Sequence, residues 1–443
     1  MSRAAVWTLF AASLLAGAAG AQTPPPNPPP AQPPPQPAAS PTPEASPAPN
    51  LLVERLNLKP TFEVRGRIQA DAVMAAQSPQ SLATIGDLQN GFGFRRVRLG
   101  AEGKVGDSAS WVSEVELAGG AVRLRDVFVG LDALPGVRQV RVGHFREPYS
   151  LEGATSANVI TFMERSPLNV LDPTRNWGVC GYWQPDDQRG LFAAGLFRSG
   201  TGSDGQSLGD GSQLAATTRV TWLPVYEPEG DTFRLVHLGA AFTYRNPADG
   251  LVTYAPEPQS TLLTVSDNPS SPFLPPVVVP AYSVQGYNLQ AARVVGPLSL
   301  QAEWFGTAVQ QNGGGVVFVH GFYADVSYFP TGEHRGYSLG RGAFDQVAVR
   351  RPLIRDRNNP RGGCGAIELA ARFSYADFDS PNLPPATDGA PTGASLYQVT
   401  LGTNWYLNDY TRIMFNYTAG FTDSAAAGPA VAHLFGIRTA IFW

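Results

Sequence analysis

The stretch LYQVTLGTNWYLNDYTRIMFNYT at residues 396–418, followed by HLFGIRTAIFW at 433–443, carries three runs in which apolar and polar residues alternate strictly. Between Leu396 and Leu407 one face carries Tyr397, Val399, Leu401, Thr403 and Trp405, and the other carries Gln398, Thr400, Gly402 and Asn404. Asn408 and Asp409 supply a tight turn. The next run sets Ile413, Phe415 and Tyr417 against Arg412, Met414, Asn416 and Thr418, and the last puts Phe435, Ile437, Ile441 and Trp443 on one face. Side chains alternate across a strand, so each run builds a sheet with one oily and one wet face. A soluble sandwich alternates in the same way. Strands of about ten residues, aromatics near their ends and a terminal aromatic inside the last run favour a transmembrane antiparallel β-barrel instead.

The other end of the sequence agrees about the compartment. Arg3, the apolar stretch from Ala4 to Leu15 and the small residues Ala19, Gly20 and Ala21 predict a secretory signal peptide over residues 1–21. Residues 22–58 read as a proline-rich disordered linker, because the segment from Pro24 to Pro49 can bury no core and prefers extended polyproline II. At about 3.1 Å per residue such a spacer reaches on the order of 80 Å, the distance of a peptidoglycan layer. An uncommitted leader is the simpler reading of it. Residues 59–443 remain for the barrel. Beyond the signal no stretch of about 18 apolar residues exists, so insertion into outer-membrane lipid has to use strands.

Composition narrows the function. Only 15% of the 443 residues are charged and the formal net charge is −4; without the signal, 31 Lys and Arg face 36 Asp and Glu, a charge of −5. Nothing here points to nucleic acid. Cys180 and Cys364 lie in separate predicted strands, where lone buried thiols are expected over a disulfide, and the five histidines show no ligand spacing. No metal or cofactor is expected.

Walking the chain by its alternation predicts sixteen strands, near 60–75, 91–105, 109–119, 122–133, 137–146, 175–184, 189–199, 214–224, 233–246, 283–295, 297–310, 316–330, 364–377, 395–407, 410–421 and 432–443. Sixteen is an even number and the size that leaves an aqueous channel. With both ends in the periplasm, connections after odd strands face outside and those after even strands face the periplasm. Three connections are long: 146–174 and 247–282 outside, and the periplasmic insertion 331–363. Loops of that length need a job, and narrowing a wide barrel is the available one.

At this point the residues carry a resemblance. Phe94 to Gly100, Leu124 to Val129, Val142 to Glu152 and Ile160 to Ser166, then Ser327 to Glu333, Glu368 to Tyr375 and Gly402 to Asn408, resemble the phosphate-selective porin O and P family in order, over roughly Phe62 to Trp443. The resemblance implies a homotrimeric porin of sixteen strands, narrowed by the third and fifth outside loops and a late periplasmic turn. It also implies a ladder of Arg and Lys that leads anions such as phosphate to the constriction.

The wet phase of the strands supplies candidates for that ladder: Arg65, Arg67, Arg96, Arg98, Lys104, Arg123, Arg125, Arg141, Arg372 and Arg412, with Arg165 from the third loop. The same phase yields Glu63, Asp71, Glu102, Glu114, Glu116, Glu303, Asp325 and Glu368, so the arginines either guide solute or pair across strands. Within the constriction loop the charged candidates are Arg146, Glu147, Glu164, Arg165 and Arg175; Arg146 and Arg175, at its roots, are expected to brace it, and Arg165 to face the eyelet. Arg350, Arg351, Arg355, Arg357 and Arg361 form a basic cluster in the periplasmic insertion, either an anion funnel or a solvated loop. Arg95, on the opposite phase, is expected to face away from the lumen.

Passive diffusion of small hydrophilic solutes, leaning to anions, is the expected function. An envelope-anchoring barrel with a closed or unselective pore is the alternative. A barrel-embedded hydrolase ranks below both, because Gly336-Tyr337-Ser338-Leu339-Gly340 matches a nucleophile elbow only in letters and lies in a Gly-rich segment with no predicted strand-to-helix passage.

Overall fold

The computed structural model describes residues 60–200, 213–229, 232–247, 250–256, 274–353, 362–385, 392–425 and 427–443. The predicted signal peptide and linker, and Arg355, Arg357 and Arg361, lie outside the described residues.

Among the described residues twenty strands follow one another: β1 (Glu63–Gln77), β2 (Gly91–Val105), β3 (Ala109–Glu116), β4 (Arg123–Leu134), β5 (Val137–Arg146), β6 (Arg175–Trp183), β7 (Gly190–Arg198), β8 (Leu214–Glu227), β9 (Arg234–Arg245), β10 (Leu251–Tyr254), β11 (Val277–Pro280), β12 (Ser283–Val295), β13 (Leu298–Gln310), β14 (Val316–Tyr328), β15 (Gly336–Ser338), β16 (Ala343–Asp345), β17 (Ala366–Asp377), β18 (Ala394–Asn408), β19 (Thr411–Ser424) and β20 (Gly428–Phe442). Sixteen of them, all except the hairpins β10–β11 and β15–β16, close into one antiparallel barrel in sequence order. The seam is β1 against β20, with Arg67 opposite Phe442 and Gln77 opposite Ala432. Closure matters in lipid, where a free strand edge has no water to satisfy it.

The alternation does what it predicts. Tyr397, Val399, Leu401, Phe415 and Ile437 are exposed on the outer face, while Gln398, Thr400, Asn404 and Arg412 are buried inside. Phe92, Trp222 and Leu289 extend the same apolar outer band around the barrel, as a lipid-facing wall requires. Cys364 differs from its expectation: it is exposed and precedes β17, while Cys180 is buried in β6, and both are free thiols.

Of the four places where the register shifts among the described residues, on β2, β4, β8 and β18, the first two carry charge. On β2, Gln69 of β1 faces Arg96 but Ala70 faces Phe94, so Arg95 is an extra residue. On β4, Ser113 of β3 faces Val127 while Val115 faces Leu124, so Arg125 and Asp126 together oppose Glu114. An extra residue re-aims its neighbours, and both bulges turn two consecutive charged residues inward.

Described parts of all three long connections pack against the inner wall of the barrel. The third outside connection starts with a short helix, Leu151–Ala154, capped by Ser150, whose hydroxyl accepts from the Gly153 amide at 2.8 Å. Its tip, Phe162 and Met163, is fully buried against the wall. The wall is glycine there: a Cβ on Gly402 would meet the Phe162 ring at 3.1 Å and one on Gly436 the Met163 sulfur at 2.9 Å. The β10–β11 hairpin of the fifth outside connection buries Tyr254, Val277 and Val279 in a cluster with Tyr149, Phe305, Val317 and Phe378. From the periplasmic side, β15–β16 packs Ala343 and Phe344 against Leu151, Leu223, Leu235 and Ala292.

The serine of the elbow-like motif, Ser338, ends strand β15 and is followed by a turn into β16, with backbone bonds Ser338 to Arg341 and Leu339 to Gly342. No helix leaves it. Its neighbour Tyr337 instead meets His237 Nδ1 through its hydroxyl at 2.7 Å.

Candidate functional site

The third connection is tied to the wall by charge. Glu164 receives Arg95 Nε at 2.7 Å and Arg95 Nη2 at 3.0 Å, Arg96 Nη2 at 3.2 Å and Arg438 Nη2 at 2.6 Å. Burial alone would raise this carboxyl, but Arg95, Arg96 and Arg438 outweigh it and hold it well below the ordinary carboxylate range. Glu152 receives Arg372 Nη2 at 2.6 Å, while Arg372 also forks onto Asp325 at 2.7 and 2.9 Å. Glu303 of β13 accepts the Leu151 and Glu152 amides, each at 2.7 Å, and so satisfies the start of the short helix. Loop carbonyls find donors too: Asn404 bonds Thr161 at 2.7 Å and Arg412 bonds Ile160 at 2.8 Å. A buried loop needs all of these partners.

What the loop leaves open is a cavity of about 670 Å³ against the inner faces of β1–β8. Twelve arginines line it, from Arg65 on β1 to Arg341 in the periplasmic hairpin, against six carboxylates, Glu102, Glu114, Asp126, Glu147, Glu164 and Asp172. Each carboxylate is engaged. Glu102 pairs with Arg65, and Glu114 takes Arg98 at 3.0 Å and Arg67 at 3.2 Å. Asp126 takes Arg175 at 2.8 Å, Glu147 takes Arg245 at 2.9 Å and Asp172 takes Arg146 at 2.7 Å. Among the described residues, Arg141 and Arg219 have no carboxylate within 4 Å. Arg219 donates to Gln290 and to the carbonyls of Arg341 and Gly342, while Arg141 lies between the rings of Phe128 and Tyr182.

The sequence-derived candidates divide accordingly. Arg65, Arg67, Arg96, Arg98, Arg125, Arg141 and Arg165 converge on the cavity, with Arg146, Glu147, Glu164 and Arg175 of the loop. Arg146 and Arg175 brace the loop's roots through Asp172 and Asp126. Arg165 lines the cavity and is held by the carbonyls of Glu152 at 2.9 Å and Thr155 at 2.7 Å.

Six candidates lie away from this cavity. Lys104 and Arg123 are exposed and do not line the cavity, since strand phase fixes a face but not a depth. Arg372 and Arg412 point inward but lie under the loop, where they bind its side chains and backbone rather than the cavity. Arg350 and Arg351 are exposed in the periplasmic insertion and away from the cavity.

Reading by alternation missed Arg95, Asp126, Arg219 and Arg438. The first two are turned inward by the bulges, and the signal was the adjacent charges Arg95-Arg96 and Arg125-Asp126, which an ideal strand would split between lipid and lumen. Arg219 and Arg438 sit on the plain inward phase of β8 and β20, between Thr217 and Thr221 and between Gly436 and Ala440.

A closed sixteen-stranded barrel with an oily belt and inward-folded loops around an arginine-lined cavity defines the class of outer-membrane porins. The chain belongs to the family described as Phosphate-selective porin O and P, which it matches over residues 62–433. It is 30% identical over 376 residues to an uncharacterized protein of Caulobacter vibrioides, covering 83% of this chain and 70% of that one. It is 24% identical over 312 residues to Porin O of Pseudomonas aeruginosa, covering 64% of this chain and 65% of that one. Among solved structures, an anion-selective porin from Comamonas acidovorans aligns with a TM-score of 0.52 at 15% identity, over 86% of this chain and all of that one, a likeness of fold. The protein is therefore a bacterial outer-membrane porin of this family and not an enzyme.

Proposed function

We propose that the barrel gives passive diffusion to small hydrophilic solutes with a preference for anions, phosphate among them. The observation that carries this reading is the twelve guanidiniums against six carboxylates around the cavity, in a chain whose global charge is negative. Selectivity follows the local field at the narrow part of a pore, where low-dielectric walls focus it, and not the net charge of the protein. The carboxylates are engaged by arginine, so the surplus positive charge is what a permeating ion meets. No chemical step is involved.

The homotrimer and the phosphate solute come from the family resemblance and are part of the proposal, as are residues 1–21 acting as an export signal and 22–58 as a periplasmic spacer that reaches towards peptidoglycan. The test is the reversal potential of the purified protein in planar bilayers under a KCl gradient. A potential of the sign set by chloride is expected, with added phosphate reducing the chloride current. A potential of the sign set by potassium would overturn the anion reading.

A further inference from the structure

One wall of the cavity is not charged. Phe128 on β4, Phe145 on β5, Tyr182 on β6 and Leu191 on β7 line it side by side, four strands contributing one apolar side chain each. Phe145 stands edge-on to Phe128 at 5.7 Å between ring centres, and to Phe197 behind it at 5.6 Å. Phe145, Tyr182 and Leu191 are packed in one apolar cluster, with Phe128 half-buried against it, so the cavity wall here is the edge of that cluster in a lumen that is elsewhere polar.

The arginine beside this patch is unlike its neighbours. The Arg141 guanidinium carbon lies 4.9 Å from the centre of the Phe128 ring and 4.5 Å from that of Tyr182. It donates to the side-chain oxygen of Gln139 and, among the described residues, has no carboxylate within 4 Å. With rings over it, its free approach is along the N–H edge, the fork that a carboxylate fits. The rings shield its faces from water and leave the edge as the side on which an anion can bind.

We propose that this corner is a subsite for organic anions carrying an aromatic ring, arylcarboxylates in the simplest case, with the carboxylate on Arg141 and the ring against Phe128 and Tyr182. The proposal rests on the anion-channel reading above and names a solute class for the same cavity. Inorganic phosphate would use the arginines but has no group to place on the aromatic wall. The cavity volume of about 670 Å³ lies in the range of sites that hold small organic ligands.

The test uses the whole folded protein in planar bilayers, with benzoate, acetate, benzamide and phosphate added in turn to a KCl bath. Benzoate is expected to half-block the chloride current at a concentration about tenfold below acetate, a ratio in keeping with ring-on-ring contacts. Benzamide, the uncharged analogue, is expected not to block. Phe128→Leu and Tyr182→Leu, which keep apolar bulk but remove the ring, should each shrink the advantage of benzoate over acetate, and Arg141→Gln should weaken the benzoate block itself. Equal block by benzoate and acetate in an anion-selective channel would overturn the subsite and leave the channel reading standing. Block by benzamide as strong as by benzoate would also overturn it. A cation preference in the same bilayers would overturn the channel reading, and the subsite with it.

Discussion

Arg438, on the last strand, donates to Glu164, in the middle of the third outside connection, at 2.6 Å, and forks onto Asp71 of the first strand with two bonds of 2.7 Å. Since β20 and β1 form the barrel seam, one guanidinium joins closure of the sheet to placement of the loop. The full set of bonds that holds the loop therefore includes one that exists only in the closed sheet.

Arg438→Ala removes what is, among the described residues, the only cation within 4 Å of Asp71 and one of three for Glu164, leaving a buried carboxylate without its partner. Breaking a buried pair from one side costs roughly 3–5 kcal/mol. A lower denaturation midpoint of the folded barrel is expected, together with a larger and noisier single-channel conductance as the loop loosens. An unchanged midpoint and conductance would show that the seam and the loop are independent.

Arg95→Ala should lower the anion preference about as much as Arg96→Ala does. The bulge puts both side chains on Glu164 and on the cavity, so each substitution removes one positive charge from the same wall. Reversal potentials of the two variants, measured side by side at low salt, check this. At about 1 M salt the Debye length falls to about 3 Å and the difference from wild type should fade. An Arg95 variant indistinguishable from wild type while the Arg96 variant loses selectivity would contradict it.

The contrast between Arg95 and Arg96 shows how far the sequence was legible. Period-two alternation located all sixteen barrel strands and their order, because one face must meet lipid and the other water. Connection length found the three inward segments. The alternation fails where a strand gains a residue, and Arg95 and Asp126 were lost for that reason alone. Depth was not legible either. Arg372, Arg412 and Arg98 share an inward phase, yet only Arg98 reaches the cavity, because the loop lies over the other two. Which arginine faces a loop and which faces water is a tertiary fact. The aromatic wall was also invisible, since Phe128, Phe145 and Tyr182 come from three strands and each alone reads as an ordinary barrel residue.

The loop should stay pinned as pH falls from 7 to about 4. Glu164 is held well below its ordinary value by Arg95, Arg96 and Arg438. A carboxyl whose value is depressed in the pinned state contributes stability that is present above its released-state value of about 4.3 and is lost as pH falls through the pinned-state value. Conductance should therefore be flat between pH 7 and 4, and rise only under stronger acid. Glu164→Gln should show the released-loop conductance already at pH 7. A wild-type step near pH 5 that Glu164→Gln removes would mean that this carboxyl titrates in its ordinary range.

The periplasmic hairpin β15–β16 offers the last test. It is latched by Arg219, which donates to the Arg341 carbonyl at 3.1 Å and the Gly342 carbonyl at 2.7 Å, and by Arg138, which donates to the Gly340 carbonyl at 2.8 Å. Through Phe344 it also packs on Leu151 of the third connection. Replacing residues 336–345 with a short Gly-Ser linker removes Arg341 from the cavity edge and the apolar support from beneath the loop. The β-barrel itself keeps all its strand pairs, because β15 and β16 pair only with each other. Conductance should rise and anion preference fall, while heat-modifiable migration of the folded barrel is retained. Arg219→Ala should move both quantities in the same direction by less, since the Phe344 contacts remain. If the hairpin deletion folds and its conductance and reversal potential match wild type, the hairpin lies outside the permeation path.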